Sequence, residues 1–235
     1  MRDTGALPAP PIAMPRTPQR RFDLIVFDWD GTLFDSTALI ARCIQSAAAD
    51  LGLPVPSDEA ASHVIGLGLT EALQHAVPSL PAARYPELGQ RYRHHYVTRQ
   101  HELVLFPGTL DLLAALKARN HLLGVATGKS RRGLDEALHT VQLKGLFDAT
   151  RTADETAGKP HPLMLQELMA ELDVAPERTL MIGDTTHDLQ LARNAGTASV
   201  GVSFGAHEHD TFEPFGPLHV AHSTADLADW LARHA

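Results

Sequence analysis

The stretch Phe22-Asp23-Leu24-Ile25-Val26-Phe27-Asp28-Trp29-Asp30-Gly31-Thr32-Leu33 decides how the rest of the chain is read. From Phe22 to Trp29 it is rich in β-branched and aromatic residues and it ends in a glycine turn, the pattern of a strand buried on both faces. Three later runs share that character: His121 to Thr127, Thr179 to Asp184, and Ala198 to Phe204. Phe147 to Thr152 is a weaker fifth candidate. Helical patterns separate them, over Leu110 to Arg119, Arg131 to Leu143, Pro162 to Leu172, and Leu189 to Ala195, the last closed by Gly196. The alternation of strand and helix predicts an α/β fold with a mostly parallel sheet and helices on both faces.

Between about Phe34 and Phe106 the alternation fails. Helical patterns follow one another there (Thr37 to Leu51, Ser57 to Val64, Thr70 to Ala76, Ala82 to His101) with no convincing strand among them. This predicts an all-helical cap over residues 35–106, inserted into a core made of residues 21–34 and 107–235, with the two junctions as hinges. Residues 1–20 carry Pro8, Pro10, Pro11, Pro15 and Pro18 and no apolar run of secretory length. They read as a disordered tail, with Met14 as well as Met1 a candidate start.

The 235-residue chain has 44% hydrophobic and 20% charged residues, which is a globular composition, and no apolar run approaches membrane-spanning length. A formal net charge of -8 repels nucleic acid and anionic lipid in general, so the expected partner is a small molecule, with no nucleic acid and no membrane. The single cysteine, Cys43, sits among apolar neighbours in a helical pattern and reads as packing. That suits a cytoplasmic protein, monomeric or homodimeric.

In parallel α/β sheets ligands gather beyond the carboxyl ends of the strands, so polar residues ending apolar strands come first. The first strand ends in Asp28 and Asp30, the His121 strand in Thr127, and the Thr179 strand in Asp184, with Asp188 one helical turn further. Lys159 stands in Gly158-Lys159-Pro160 just before a helix. Each alone is ordinary: Asp-Gly is often a turn, threonine a helix cap, and Gly-Lys-Pro a loop. Together and in this order they predict a site for phosphate and Mg²⁺. A phosphate ester repels an anionic nucleophile, so attack by a carboxylate needs positive charge nearby. Mg²⁺ prefers hard oxygen ligands, which Asp28 and Asp184 provide. Asp28 is the expected nucleophile and Asp30 the acid and base. Thr127 and Lys159 would hold the phosphoryl oxygens, with Asp188 steadying Lys159 or a metal-bound water.

With Asp28-Trp29-Asp30-Gly31-Thr32-Leu33, Thr127, Lys159 and Gly183-Asp184-Thr185-Thr186-His187-Asp188 in that order, the chain after Phe22 resembles the haloacid dehalogenase superfamily of phosphohydrolases. Within it, the phosphoglycolate phosphatase-like branch, with a helical cap after the first motif, is the one it looks like. The resemblance implies a Rossmann-like core, a mobile cap that excludes water, and a Mg²⁺ bound by Asp28, Asp184 and the backbone carbonyl of Asp30. The dehalogenases of that superfamily lack an aspartate at the position of Asp30, because a carbon-halogen bond needs no protonated leaving group, so Asp30 points to phosphate esters. Gly128 stands where many of the phosphatases carry asparagine, leaving its backbone N–H as the phosphate contact.

The fourteen histidines do not predict zinc, since neither His94-His95 nor His207 with His209 has a second pair or an acidic partner at zinc spacing. Arg131 and Arg132 read as helix surface, and Gly66-Leu67-Gly68 as a cap loop near the substrate. A sugar phosphomutase working through the same aspartyl phosphate, or a regulatory protein keeping the fold without catalysis, stay open as alternatives.

Overall fold

The computed structural model describes residues 20–235. Of the expected tail only Arg20 lies among them, and Met14 lies outside. Six strands, β1 (Leu24–Phe27), β2 (Leu122–Thr127), β3 (Ala149–Thr152), β4 (Thr179–Gly183), β5 (Ala198–Val202) and β6 (Val220–Ala221), form one sheet in the order β3-β2-β1-β4-β5-β6. Every pairing is parallel. The fold is therefore the expected α/β architecture. The chain runs outward from β1 through β2 to β3, then returns to place β4 on the other side of β1. The carboxyl ends of β1 and β4 thus flank the switch point, where the two halves diverge and leave a crevice.

Side chains alternate across a strand, and here each face has its own apolar layer. Ile25, Phe27, Leu123, Val125, Leu180 and Ile182 pack beneath α5 (Thr109–Ala118), α6 (Arg131–Thr140) and α9 (Thr224–His234). Leu24, Val26 and Met181 pack against α7 (Leu163–Leu172) and α8 (Thr186–Ala195). Burial on both faces is why β1 and β4 read as continuous apolar runs. Helix α8 begins three residues before the expected Leu189, because Thr185 and Asp188 cap one another across its first turn. β6 and α9 were not expected. The strand has two residues, too few for a pattern, and its helix starts only at the Ser223 cap.

His121 enters β2 fully buried, with Nδ1 3.0 Å from the Phe22 carbonyl oxygen. Burial, with Arg119 and Arg20 nearby, pulls its pKa down from the ordinary 6.5 to about 4. Between those values the unfolded chain binds the proton and the folded chain does not, so this contribution is complete above about pH 6.5 and is lost as pH falls toward 4. We expect His121→Gln to flatten the acid limb of the stability profile by roughly 2 kcal/mol across that window, measured by urea titration at each pH.

The chain from Phe34 to Leu105 leaves and rejoins the sheet side by side. Phe34 bridges Leu105 antiparallel, Asp35 N–H donates to Val104 O at 2.9 Å, and Phe106 N–H to Leu33 O at 3.0 Å. Between them lie α1 (Thr37–Asp50), α2 (Asp58–His63), α3 (Leu69–Ala76) and α4 (Tyr85–Arg99). These helices bury a cluster of their own, including Ile40, Ile44, Val64, Leu73 and Leu88, separate from the layers on the sheet. The pattern read as one helix over Ala82 to His101 is interrupted by short 3-10 turns at both ends. Cys43 is buried on α1, and burial pushes its thiol up to about 11, so it is packing rather than a nucleophile.

Candidate active site

Asp28 is the first residue past β1, its N–H still bonded to Ile182 O of β4 at 2.9 Å. Asp184 is the first past β4, and the two carboxylates therefore meet over the switch point. Lys159 reaches in from the loop before α7 with a side chain that has no exposed surface. Its Nζ lies 2.7 Å from Asp28 Oδ1 and 2.6 Å from Asp188 Oδ1. The other oxygen of Asp188 accepts from Thr185 N–H at 3.1 Å and Thr185 Oγ at 2.6 Å, so the α8 cap fixes the carboxylate that holds the lysine. Asp184 accepts from Thr32 Oγ1 and from Ala206 N–H, both at 2.8 Å. Gly31 makes room for it: at φ +81°, a Cβ there would lie 2.1 Å from Asp184 Oδ2.

The charges do not balance among these groups. With all four ionised, the buried carboxylates (Asp28, Asp30, Asp184, Asp188) exceed the two ammonium groups (Lys129, Lys159) by two negative charges. Burial, reinforced by Asp188 and Asp184, outweighs Lys159 and raises Asp28 well above the usual carboxylate range. Burial and Asp188 push Asp184 up to about 7. Asp28 Oδ2 is buried without a partner, and oxygens of Asp28, Asp184 and Asp188 lie within 4.8 Å of one another. An unpartnered hard oxygen in an uncompensated carboxylate cluster fits a divalent cation. Of the three, Asp188 is the one already engaged on both oxygens, by Lys159 and Thr185.

Asp30 lies over the same crevice. Its Oδ1 accepts from Ser36 Oγ at 2.6 Å, and both oxygens lie 3.0 Å from Lys129 Nζ. Burial works against the charge of Lys129, but Asp30 and then Tyr96 and Tyr92 more than offset it and raise its pKa. The buried Thr127 hydroxyl accepts from Lys129 N–H at 3.2 Å, which leaves its own proton to donate. A Cβ at Gly128 would lie 2.4 Å from Leu67 O and 2.5 Å from Gly66 O. The loop between α2 and α3 thus occupies the space that a side chain at Gly128 would need.

The fold brings Asp28, Asp30, Thr127, Gly128, Lys159, Asp184 and Asp188 to one end of the sheet. Lys129 and Ser36 escaped the sequence, and Thr32 was read there only as part of the motif, without its bond to Asp184. The signal for Lys129 was its place directly after Thr127-Gly128, whereas Arg131 and Arg132 are taken up by Glu155 at 2.6 Å and Glu136 at 2.9 Å. His95 does have an acidic neighbour, Asp50 at 2.9 Å, brought in from α1. His187 and His207 each place Nε2 3.0 Å from the His63 carbonyl oxygen, tying the end of α2 to the start of α8.

The family model described as haloacid dehalogenase-like hydrolase matches residues 25–202. A probable phosphatase IndB of Dickeya dadantii is 33% identical over 90% of this chain and 94% of its own length. A phosphoglycolate phosphatase of Aliivibrio fischeri is 33% identical over 77% and 84%, and a 5'-nucleotidase of Pseudomonas aeruginosa 33% over 91% and 97%. The crystal structure of a predicted phosphoglycolate phosphatase from Haemophilus somnus superposes with a TM-score of 0.81 at 27% identity, covering 90% of this chain and 98% of that one.

Proposed function

The chain belongs to the haloacid dehalogenase-like hydrolases and is a phosphatase; from that premise we propose that it hydrolyses small phosphate monoesters through a phosphoryl group carried on Asp28, with Mg²⁺ as its cation. The observation that carries the proposal is the Asp28-Lys159-Asp188 chain, which pairs one oxygen of Asp28 and leaves the other without a partner at the switch point. Asp28, Asp184 and the Asp30 carbonyl would hold Mg²⁺, which would supply positive charge against the phosphoryl oxygens.

An oxygen of Asp28 attacks phosphorus while the bond to the leaving oxygen breaks, and Asp30 gives that oxygen a proton. Asp30 then takes a proton from the water that attacks the aspartyl phosphate, and phosphate leaves with Asp28 restored. Lys159 Nζ, the Thr127 hydroxyl and the Gly128 N–H hold the transferring oxygens, with Asp188 steadying Lys159. Residues 35–106 act as a cap that keeps bulk water from the first step. The substrate class is that of phosphoglycolate. The test is phosphate release from a panel of phosphorylated metabolites with Mg²⁺ and with a chelator. Release that stops on chelation and returns with Mg²⁺ is expected. Release indifferent to the chelator, isomerisation in place of release, or no release at all would overturn the proposal.

A further inference from the structure

Lys129 has no part in the phosphoryl chemistry above, yet its side chain is only 9% exposed. Its Nζ contacts both oxygens of Asp30 and, at 3.0 Å, the phenol oxygen of Tyr96, whose ring centre is 4.9 Å away. Three partners use the three N–H donors of an ammonium group. Asp30 and Lys129 belong to the core and Tyr96 to α4, so this contact spans the space between the helices and the sheet. Tyr92, one turn earlier on α4, packs on Tyr96 with ring centres 5.9 Å apart. Burial, which outweighs Lys129, raises both phenols, so they keep their protons. Because Tyr96 accepts from Lys129, its own O–H is left to donate.

A lysine so placed could serve only to position Asp30. Ser36, at 2.6 Å, already fixes that carboxylate, and positioning gives no reason for a phenol from the opposite side to meet the same ammonium. An ammonium and a hydroxyl converging beside the group that faces the leaving oxygen are the donors an anion requires. The phosphoryl oxygens have Lys159, whose Nζ lies 2.7 Å from Asp28 Oδ1. We propose that Lys129 and Tyr96 form a second anion site that selects phosphomonoesters whose leaving group carries a carboxylate or a further phosphate close to the scissile bond. When such a substrate enters, Lys129 Nζ turns from Asp30 to the incoming anion and the Tyr96 O–H donates to it. The inference rests on the phosphatase reading above.

The test is a ratio of kcat/KM values. Phosphoglycolate and 2-hydroxyethyl phosphate differ only in carboxylate against hydroxymethyl, and ethane-1,2-diol bisphosphate, also a phosphomonoester, carries a further phosphate on its leaving group. We expect the wild type to prefer phosphoglycolate or ethane-1,2-diol bisphosphate over 2-hydroxyethyl phosphate by about 100-fold. Lys129→Met lowers all rates, since Asp30 loses a partner, but it collapses the ratio to within about threefold of unity, chiefly through KM. Tyr96→Phe, which removes a single oxygen and guards against misfolding of the lysine variant, lowers the ratio about tenfold. A wild-type ratio near one, or a ratio unchanged in Lys129→Met while all rates fall, overturns the anion site and leaves the phosphatase reading standing. Release of phosphate from no substrate of the panel sinks that reading and the site with it.

Discussion

Asp28→Asn is expected to lower kcat by about 10⁴-fold or more while the far-UV circular dichroism spectrum stays that of the parent. The amide has the shape of the carboxylate but not its nucleophilicity, so the step that forms the phosphorus bond is lost and little else changes. The fold tolerates the exchange for a physical reason. Lys159 keeps Asp188 at 2.6 Å, and the lost charge is one whose burial beside Asp184 and Asp188 already raised its pKa well above normal. Cation-free Asp28→Asn is therefore expected to unfold no earlier in urea than cation-free parent. A variant that is inactive because it is unfolded would fail this comparison.

Lys159→Met is the second large effect, and it strikes stability as well as rate. With no exposed side-chain surface, Lys159 joins two buried carboxylates, and methionine leaves Asp28 and Asp188 facing each other without a cation. Removing one member of a buried ion pair costs about 3–5 kcal/mol, against 1 kcal/mol or less for an exposed pair. The exposed Lys117-Asp148 contact, at 2.9 Å, supplies the control: Lys117→Met is expected to change little. The loss in Lys159→Met, read by urea titration, should shrink when Mg²⁺ is added, because the cation restores part of the missing charge. Turnover should fall by about 10³-fold even at saturating Mg²⁺, since Lys159 is the ammonium paired with Asp28 itself.

The core was legible because β1, β2, β4 and β5 are short apolar runs buried on both faces, and a parallel sheet puts the residue after each run at one end. Asp28 and Asp184 could be assigned to one site from that rule alone. What stayed hidden depends on contacts between distant elements. Lys129 meets Asp30 and Tyr96 only when α4 faces the loop after β2, a juxtaposition that strand and helix patterns do not encode. The cluster of His63, His187 and His207 joins α2 to α8 and to the loop after β5. No spacing along the chain announces it. The close approach of the Gly66 and Leu67 carbonyls to Gly128 is of the same kind. Helix α8 was misplaced for a local reason instead, because Thr185 and Asp188 form a cap within the motif that had been read as chemistry alone.

The central claim is that phosphorus passes through Asp28. It is tested most directly by mixing the enzyme with a phosphomonoester and Mg²⁺, quenching in acid within milliseconds, reducing with borohydride and mapping the peptides by mass spectrometry. Reduction of an aspartyl phosphate converts that aspartate to homoserine. Homoserine at position 28, absent without substrate and absent from Asp28→Asn, is the result predicted. Homoserine at another aspartate, or a burst of phosphate with no reduced residue, would contradict the account.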